Sequence, residues 1–132
     1  MGSEASASGA QGVALLLWAC SPDDPARVLT PFFQAAAAAA MEAPVEVYFT
    51  AQSVRLLQPG VADDLRATPG GMTALAAMQM AHQHGARLLA CAEALRACGL
   101  ERSGLIDLCD GQGGAVQFMA RTLEPNWRTL VF

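Results

Sequence analysis

Residues 87–100 read Arg-Leu-Leu-Ala-Cys-Ala-Glu-Ala-Leu-Arg-Ala-Cys-Gly-Leu, and this stretch decides the predicted fold. Leu88–Ala90 is a short apolar run, as expected of a parallel strand that is covered on both faces. The residues that follow favour a helix, and Gly99 fits its carboxyl-terminal cap. The stretch therefore predicts a buried strand that ends at Cys91, which leads directly into a helix.

The predicted position of Cys91 makes its thiol a candidate for chemical reactivity. Ligands in open α/β sheets bind outside the carboxyl ends of the strands. Backbone N–H groups and the dipole of a following helix favour an anionic sulfur there, either a thiolate or a persulfide. Free cysteine is also among the most buried residue types, so a purely structural role for Cys91 stays open.

The rest of the chain alternates between strand and helix patterns. Further strands are predicted at residues 13–20, 45–50, 105–108 and 127–132. Helices are predicted from Asp24 to about Met41 with a restart near Pro31, and at residues 51–57, 72–84 and 115–123, the last with Val116, Met119 and Leu123 on one face. The alternation predicts a mostly parallel five-stranded sheet with helices on both faces. We expect residues 1–12 to form a flexible tail and residues 13–132 a single domain.

Composition limits the classes of partner. The chain has 132 residues and a net charge of −4, and its eight basic residues are scattered arginines, which argues against nucleic acid or a membrane as the main partner. The four cysteines include no CxxC pair, and a chain of this length does not need disulfide bonds for stability. Both observations favour a reducing, cytoplasmic location. The 53% hydrophobic fraction suggests that part of the apolar surface is covered in an oligomer.

The other cysteines are weaker candidates for chemistry. Cys20 and Cys109 directly end or follow the predicted first and fourth strands, so both are candidate auxiliary thiols at the same sheet edge as Cys91, with packing as the alternative. Cys98 lies seven residues after Cys91, roughly 10 Å along a helix. That separation exceeds the reach of a disulfide, so packing is the expected role of Cys98.

Several polar or glycine-rich features have simple structural interpretations. His82 and His84 point to different sides of a helix, which makes a poor metal pair, and are expected to be solvated. Gly111–Gly114 precedes a helix and is a weak anion-binding signal. Gln58–Gly71 suits a surface loop that lies over a site. The Asp23–Asp24 pair is interpreted as helix caps, and no metal or organic cofactor is expected.

Taken together, these residues resemble the DsrE/DsrF-like family, which includes the TusD-type sulfur-relay proteins. The resemblance covers about residues 13–132 and depends on the order and spacing of several segments. These are the first strand with its Asp-rich turn, residues 45–50, 85–91 and 98–100, the Gly-rich turn into residues 115–123, and residues 129–132. It implies a three-layer α/β/α sandwich of flavodoxin-like topology, assembly as a trimer or hexamer, and a role for Cys91 as the sulfur carrier.

The leading hypothesis is a sulfur-relay or sulfurtransferase-like protein. Cys91 would hold sulfane sulfur as a persulfide and pass it to a thiol of a partner, without metal or organic cofactor. The expected partners are sulfur donor and acceptor proteins and further copies of this chain or related subunits. Two alternatives stay open: a non-catalytic oligomeric binding module, and a redox switch that joins Cys91 to Cys109 or Cys20.

Overall fold

The computed structural model describes residues 11–132 of the chain. The strands are β1 Gly12–Leu17, β2 Val45–Phe49, β3 Arg87–Ala90, β4 Cys109–Gln112 and β5 Trp127–Val131. The α-helices are α1 Leu29–Ala40, α2 Ala74–Gln83, α3 Ala92–Ala97 and α4 Ala115–Leu123. Short 3-10 helices cover Pro25–Arg27, Ala51–Leu57, Ala62–Asp64 and Arg102–Gly104. The predicted tail lies outside the described residues, except for its end, where Gly12 already belongs to β1. Within residues 11–132, no helix has the length and apolar character needed to span a membrane.

The five strands form one sheet in the order β4-β3-β2-β1-β5, and all pairs are parallel. Every residue of β2 is buried, which agrees with its place in the middle of the sheet. Helices cover both faces, so the predicted layered α/β architecture is confirmed. The strand order differs from the 2-1-3-4-5 order of flavodoxin itself.

The order of the strands explains how the helices divide between the two faces. From β1 to β4 the chain moves steadily in one direction, and right-handed crossovers then place the connecting helices on one face of the sheet. The connection from β4 to β5 runs back across the sheet, so α4 lies on the opposite face. The apolar residues follow this division and form two separate cores.

The broad core lies on the face covered by α1, α2 and α3. Its largest buried members are Leu15, Leu17, Phe32, Val47, Phe49, Leu56, Leu57, Met78 and Leu88. The narrow core lies under α4 and consists of Ala14, Tyr48, Leu89 and Phe118. Tyr48 and Phe118 meet edge to face, with ring centroids 5.3 Å apart. The chain therefore buries far more apolar surface on one face of the sheet than on the other.

The stretch that decided the predicted fold has the expected conformation. Cys91 stands at the N-cap position of α3, directly after β3. At the other end, Gly99 has a φ of 69°, and the N–H of Leu100 donates to the carbonyl of Leu95 at 2.8 Å. These features form a Schellman motif, which requires the left-handed conformation that glycine adopts without strain.

The first strand is shorter than predicted. It ends at Leu17, because the N–H groups of Trp18 and Ala19 both donate to the carbonyl of Phe132 and draw the chain out of the sheet. Cys20 therefore lies three residues beyond the strand. The helix that follows begins at Leu29, so Pro31 falls in its first turn, where proline is tolerated.

The prediction of a strand at residues 105–108 is wrong. The fourth strand starts at Cys109, and the apolar residues before it pack against the broad core from an irregular segment. Ile106 is held there by its N–H, which donates to the carbonyl of Leu57 at 2.9 Å. Strand β4 lies at the sheet edge with alternately exposed residues, so it needs no apolar run. Sequence reasoning therefore assigned a core-packing loop to the sheet.

Candidate functional site

Cys91 is fixed by its main chain at the carboxyl edge of the sheet. Its N–H donates to the carbonyl of Phe49 at 2.9 Å, and its own carbonyl accepts from the N–H of Leu95 at 3.0 Å. The side chain is half-buried and forms no capping hydrogen bond with α3. The thiol is thus held in a defined place while its sulfur remains free of the helix.

One cavity beside Cys91 is apolar. This inner cavity has a volume of about 320 Å³ and is bounded by the ends of β1, β2 and β3 and by the first half of α4. Its lining residues are Leu16, Trp18, Tyr48, Thr50, Cys91, Gly113, Gly114, Ala115, Phe118 and Met119. No charged side chain is among these residues. A volume of this size falls at the lower end of the range for small-molecule sites.

A second cavity also borders Cys91. This outer cavity has a volume of about 700 Å³ and shares Cys91 and Gly113–Ala115 with the inner one. Its wall is more polar and includes Glu93, Gln112 and Gln117. Glu93 is paired with Arg96 at 2.7 Å. Cys91 therefore borders both an apolar cavity and a wider one with some polar side chains in its wall.

The glycine-rich turn between β4 and α4 brings backbone close to this boundary. A Cβ atom on Gly113 would lie 2.8 Å from Cε2 of Tyr48 and 2.9 Å from Cβ of Leu89, so only glycine fits. The N–H of Gly113 donates to the carbonyl of Ala90 at 3.0 Å. Gly114 follows at the N-cap position of α4. The turn thus has a packing role in addition to the anion-binding role suggested by its sequence.

A buried ion pair lies behind the inner cavity. Arg121 binds both carboxylate oxygens of Glu46, at 2.9 and 2.8 Å, and the hydroxyl of Tyr48 donates to the same carboxylate at 2.7 Å. Burial by itself would raise the pKa of Glu46, but the hydrogen bonds from Arg121 and Tyr48 outweigh it, and the pKa lies below its usual value. Burial, followed by the bond to Glu46, raises the pKa of Tyr48. Tyr48 therefore presents its ring, and not an available hydroxyl, to the cavity.

Sequence reasoning missed this ion pair. Its only signal is Glu46 within an otherwise apolar and aromatic strand, Val45–Phe49. A carboxylate in a fully buried strand requires a cationic partner, but the sequence does not say which arginine supplies it. The partner, Arg121, is 75 residues away and also stacks on Trp127, with its Cζ 3.9 Å from the ring centroid.

Cys20 lies in a different place from Cys91. It is buried, its thiol donates to the carbonyl of Arg27 at 3.5 Å, and burial raises its pKa. It lines a separate cavity of about 310 Å³ together with Thr30 and Phe132. None of the residues around that cavity also lines the inner or outer cavity.

Cys109 is not at the carboxyl edge of the sheet, contrary to the prediction. It is the first residue of β4 and pairs with Leu88, near the beginning of β3. Its thiol contacts the carbonyl of Gly111 at 3.5 Å, and burial raises its pKa. Cys98 ends α3 and packs against the broad core, as expected. All four cysteines are free thiols.

Two further sequence expectations need correction. His82 is not simply solvated, because its Nε2 lies 3.0 Å from Oδ1 of Asp110, whose other oxygen accepts from the N–H of Leu88 at 2.8 Å. Asp23 does not cap a helix but binds Arg55 at 2.8 Å. Within residues 11–132, no group of three or more side chains of the metal-ligating types is arranged to hold a metal ion.

The Gly- and Pro-rich segment Gln58–Gly71 does not lie over Cys91. Pro59, Gly60 and Asp63 instead line a cavity of about 480 Å³ that they share with residues of α2 and of the irregular segment before β4. All residues of Gln58–Gly71 are described by the structure, and none of them lines the inner or the outer cavity. The segment therefore cannot serve as a lid on the thiol in this conformation.

Comparison with known proteins agrees with this fold. The structure is similar to that of the YchN protein from E. coli, with a TM-score of 0.72 and 15% identity over 92% of this chain and 99% of that one. It is also similar to MTH1491, a protein of unknown function from Methanobacterium thermoautotrophicum, with a TM-score of 0.64 and 21% identity over 91% of this chain and 97% of that one. No curated protein matches the sequence. The profile of the DsrE/DsrF-like family matches residues 14–132, and the chain therefore belongs to the DsrE/DsrF-like family.

Proposed function

We propose that this protein carries sulfane sulfur as a persulfide on Cys91 and passes it to the thiol of a partner. The observation that carries the proposal is the position of Cys91 in a DsrE/DsrF-like chain. Its half-buried sulfur stands at the carboxyl edge of the sheet and opens on two cavities. The family includes sulfur-relay proteins, which supports the same chemistry here.

The proposed reaction needs two thiol–persulfide exchanges and no external oxidant. In the first, the Cys91 thiolate attacks the outer sulfur of a donor persulfide, a new S–S bond forms on Cys91, and the donor leaves as a thiolate. In the second, an acceptor thiolate attacks the outer sulfur of the Cys91 persulfide. The bond between the two sulfurs then breaks, and Cys91 leaves with the electron pair as a thiolate.

The surroundings of Cys91 suit these exchanges better than those of the other cysteines. A thiol must be reached by both donor and acceptor, and Cys91 borders two cavities. Cys20 is buried and donates to a carbonyl, and Cys109 is directed towards its own strand. Burial raises the pKa of both thiols and so disfavours the reactive thiolate.

Intact-protein mass spectrometry after incubation with a low-molecular-weight persulfide tests the proposal. We expect an increase of about 32 Da, the mass of one sulfur atom, mapped to the peptide that contains Cys91. The Cys91→Ser variant should lose this adduct, while Cys98→Ser, which removes another half-buried thiol from the same helix, should retain it. An adduct that survives in Cys91→Ser, or none in the unmodified protein, would contradict the proposal.

A second candidate function is a non-catalytic oligomeric binding module, and an apolar outer surface supports its oligomeric part. Val116 and Leu123 lie on the outer side of α4 and are 88% and 79% exposed. Val131 is also exposed, on the same face of the neighbouring edge strand β5. A patch of this kind fits a contact with another copy of the chain, as a trimer or hexamer, or with a related subunit. Such assembly is compatible with either function.

The redox-switch alternative has less structural support. A disulfide requires Cα atoms within about 7 Å and facing side chains. Cys20 and Cys91 line different cavities, and Cys109 begins β4, whereas Cys91 follows the end of β3. An intramolecular Cys91–Cys109 or Cys91–Cys20 disulfide on mild oxidation would revive this alternative. We place the protein and its sulfur donor and acceptor in the cytoplasm as part of the same proposal.

A further inference from the structure

The inner cavity next to Cys91 is not explained by persulfide chemistry alone. A transferred sulfur atom and the thiol that attacks it need little room, and the outer cavity already gives access to Cys91. The inner cavity adds about 320 Å³ of mainly apolar space beside Cys91. A cavity of about 150 Å³ holds benzene in another protein, so this volume accommodates a ring and its substituents.

The lining indicates what chemistry the cavity accepts. Trp18, Tyr48 and Phe118 supply aromatic surface, and Leu16 and Met119 supply aliphatic surface. Among residues 11–132, no cationic or anionic side chain lines the cavity. A carboxylate or an ammonium group would therefore lose its hydration without gaining an ion pair, and a carboxylate would find only the backbone N–H groups at the start of α4. An apolar ring would gain from burial.

Two contacts remove polar groups that would otherwise face the ligand. The hydroxyl of Tyr48 is turned to the carboxylate of Glu46, at 2.7 Å, and the N–H of Gly113 is used by the carbonyl of Ala90, at 3.0 Å. The remaining side-chain polar groups of the lining are the indole N–H of Trp18, the hydroxyl of Thr50 and the sulfur atoms of Cys91 and Met119. The cavity thus combines an apolar body with a reactive atom at its border.

We propose that the inner cavity binds an uncharged small thiol with an apolar, ring-sized body as the acceptor of sulfane sulfur from Cys91. This inference rests on the proposed function and names the class of its acceptor. The thiolate of the bound ligand attacks the outer sulfur of the Cys91 persulfide and becomes the new persulfide. Cys91 departs as a thiolate, so all sulfur atoms and electron pairs are accounted for.

Transfer rates to two simple thiols test the acceptor class. Benzyl thiol and 2-mercaptoethanol are both uncharged, but only the first has a ring that can fill the cavity. With protein loaded at Cys91, we expect transfer to benzyl thiol to be about tenfold to a hundredfold faster, at low concentration, and to saturate. Equal rates, or a preference for a charged thiol such as glutathione, would overturn the inference.

Two matched variants show whether this preference comes from the inner cavity. Met119→Glu introduces a carboxylate at a half-exposed position of the lining, and we expect the rate ratio of the two thiols to fall several-fold. Met41→Glu makes the same change at an exposed position remote from the cavity and should keep the ratio. An unchanged ratio in Met119→Glu would contradict the assignment.

Binding is measured separately from sulfur chemistry with benzyl methyl sulfide, which has no thiol. In the Cys91→Ser protein, we expect this probe to shift the NMR signals of the Met119 methyl group and of the Gly113 and Gly114 amides. If these shifts occur but no persulfide forms on Cys91 in the unmodified protein, the proposed function fails and the apolar site remains. If a persulfide forms but the probe causes no shift, the inference fails alone. Shifts that depend on protein concentration instead would mean that a second copy fills the cavity, and would overturn it.

Discussion

The two faces of the sheet are built in different ways. On one face, three helices bury a continuous apolar core in which Phe32, Phe49 and Met78 are fully covered. On the other, α4 is the one helix among residues 11–132 that covers the sheet, and four of these residues are buried in the narrow core. The second face is completed by the Glu46–Arg121 ion pair and by the cavity beside Cys91. One face therefore provides stability, and the other leaves room for a ligand.

This difference follows from the topology. Successive right-handed crossovers that advance in one direction place their helices on a single face, and a return crossover supplies a helix to the other. Here the chain makes only one return, from β4 to β5. A single helix of nine residues, α4, cannot cover a five-stranded sheet, so the carboxyl edge stays open on that face. A strand order with a single return connection can therefore leave a cavity beside the sheet.

The largest effect on the second face is expected from breaking its ion pair. Arg121→Met removes the closest cationic partner of a carboxylate that is 4% exposed, and leaves it the hydroxyl of Tyr48 at 2.7 Å and the exposed Arg87 at 3.8 Å. We expect a loss of about 3 kcal/mol in the free energy of unfolding at pH 7, measured by urea denaturation. Arg128→Met, which replaces an exposed arginine, should change it by less than about 0.5 kcal/mol. Equal effects of the two variants would show that Glu46 is not anchored by Arg121.

The same ion pair predicts a pH dependence with a defined sign. The pKa of Glu46 is lowered in the folded protein, so the stabilisation from its charged form is present above the ordinary value of 4.5 and is lost as the pH falls through the folded pKa. The difference in unfolding free energy between the unmodified protein and Glu46→Gln should therefore shrink below about pH 4.5. A difference that stays constant down to pH 3 would contradict this account.

A smaller effect is expected where the backbone closes on the narrow core. In Gly113→Ala the new methyl group would overlap the ring of Tyr48 and the Cβ of Leu89. We expect a loss of about 1–3 kcal/mol, measured by thermal or urea unfolding, because the ring must move towards the inner cavity. Gly104→Ala, at a position with open space around it, serves as the control and should be close to neutral. An unchanged free energy of unfolding in Gly113→Ala would mean that the narrow core rearranges around the new methyl group at little cost.

The smallest effect on folding is expected on the outer side of α4. Val116→Gln and Leu123→Gln alter exposed side chains, so each should change the unfolding free energy by less than about 0.5 kcal/mol. If this surface joins copies of the chain, the pair of substitutions should nevertheless shift sedimentation towards the monomer. Met41→Gln, at the exposed position that follows α1, is the control and should not shift it. If neither the Val116→Gln/Leu123→Gln pair nor Met41→Gln changes the sedimentation, the contact between copies lies elsewhere on the surface.

Local sequence patterns were sufficient for the elements that depend on neighbouring residues. The strand–cysteine–helix unit of residues 87–100 was predicted correctly, because an apolar run, a helix-forming run and Gly99 act within a few residues of each other. Residues 105–108 misled for the opposite reason. Their apolar side chains do enter the core, but the hydrogen bond from Ile106 to Leu57 keeps the segment out of the sheet.

The candidate site was predicted in part. Cys91 stands where its sequence context suggested, whereas Cys109, expected at the same edge, begins its strand instead. The error came from the position of β4, an edge strand whose Cys-Asp-Gly-Gln sequence has no apolar signature. The inner cavity could not be predicted, because its lining comes from four separated segments of the chain.

The sequence by itself determined the layered α/β architecture, the family and the position of Cys91 between a strand and a helix, since each depends on short-range pattern. Only the tertiary structure decided which residues surround that thiol and which side of α4 meets the sheet. The sequence pattern placed Val116, Met119 and Leu123 on one side of the helix, yet Val116 and Leu123 are exposed, and Phe118 and Arg121 turn towards the sheet. The reason is that Glu46, buried in a central strand, must be neutralised, and Arg121 reaches it only when that side of α4 faces the sheet.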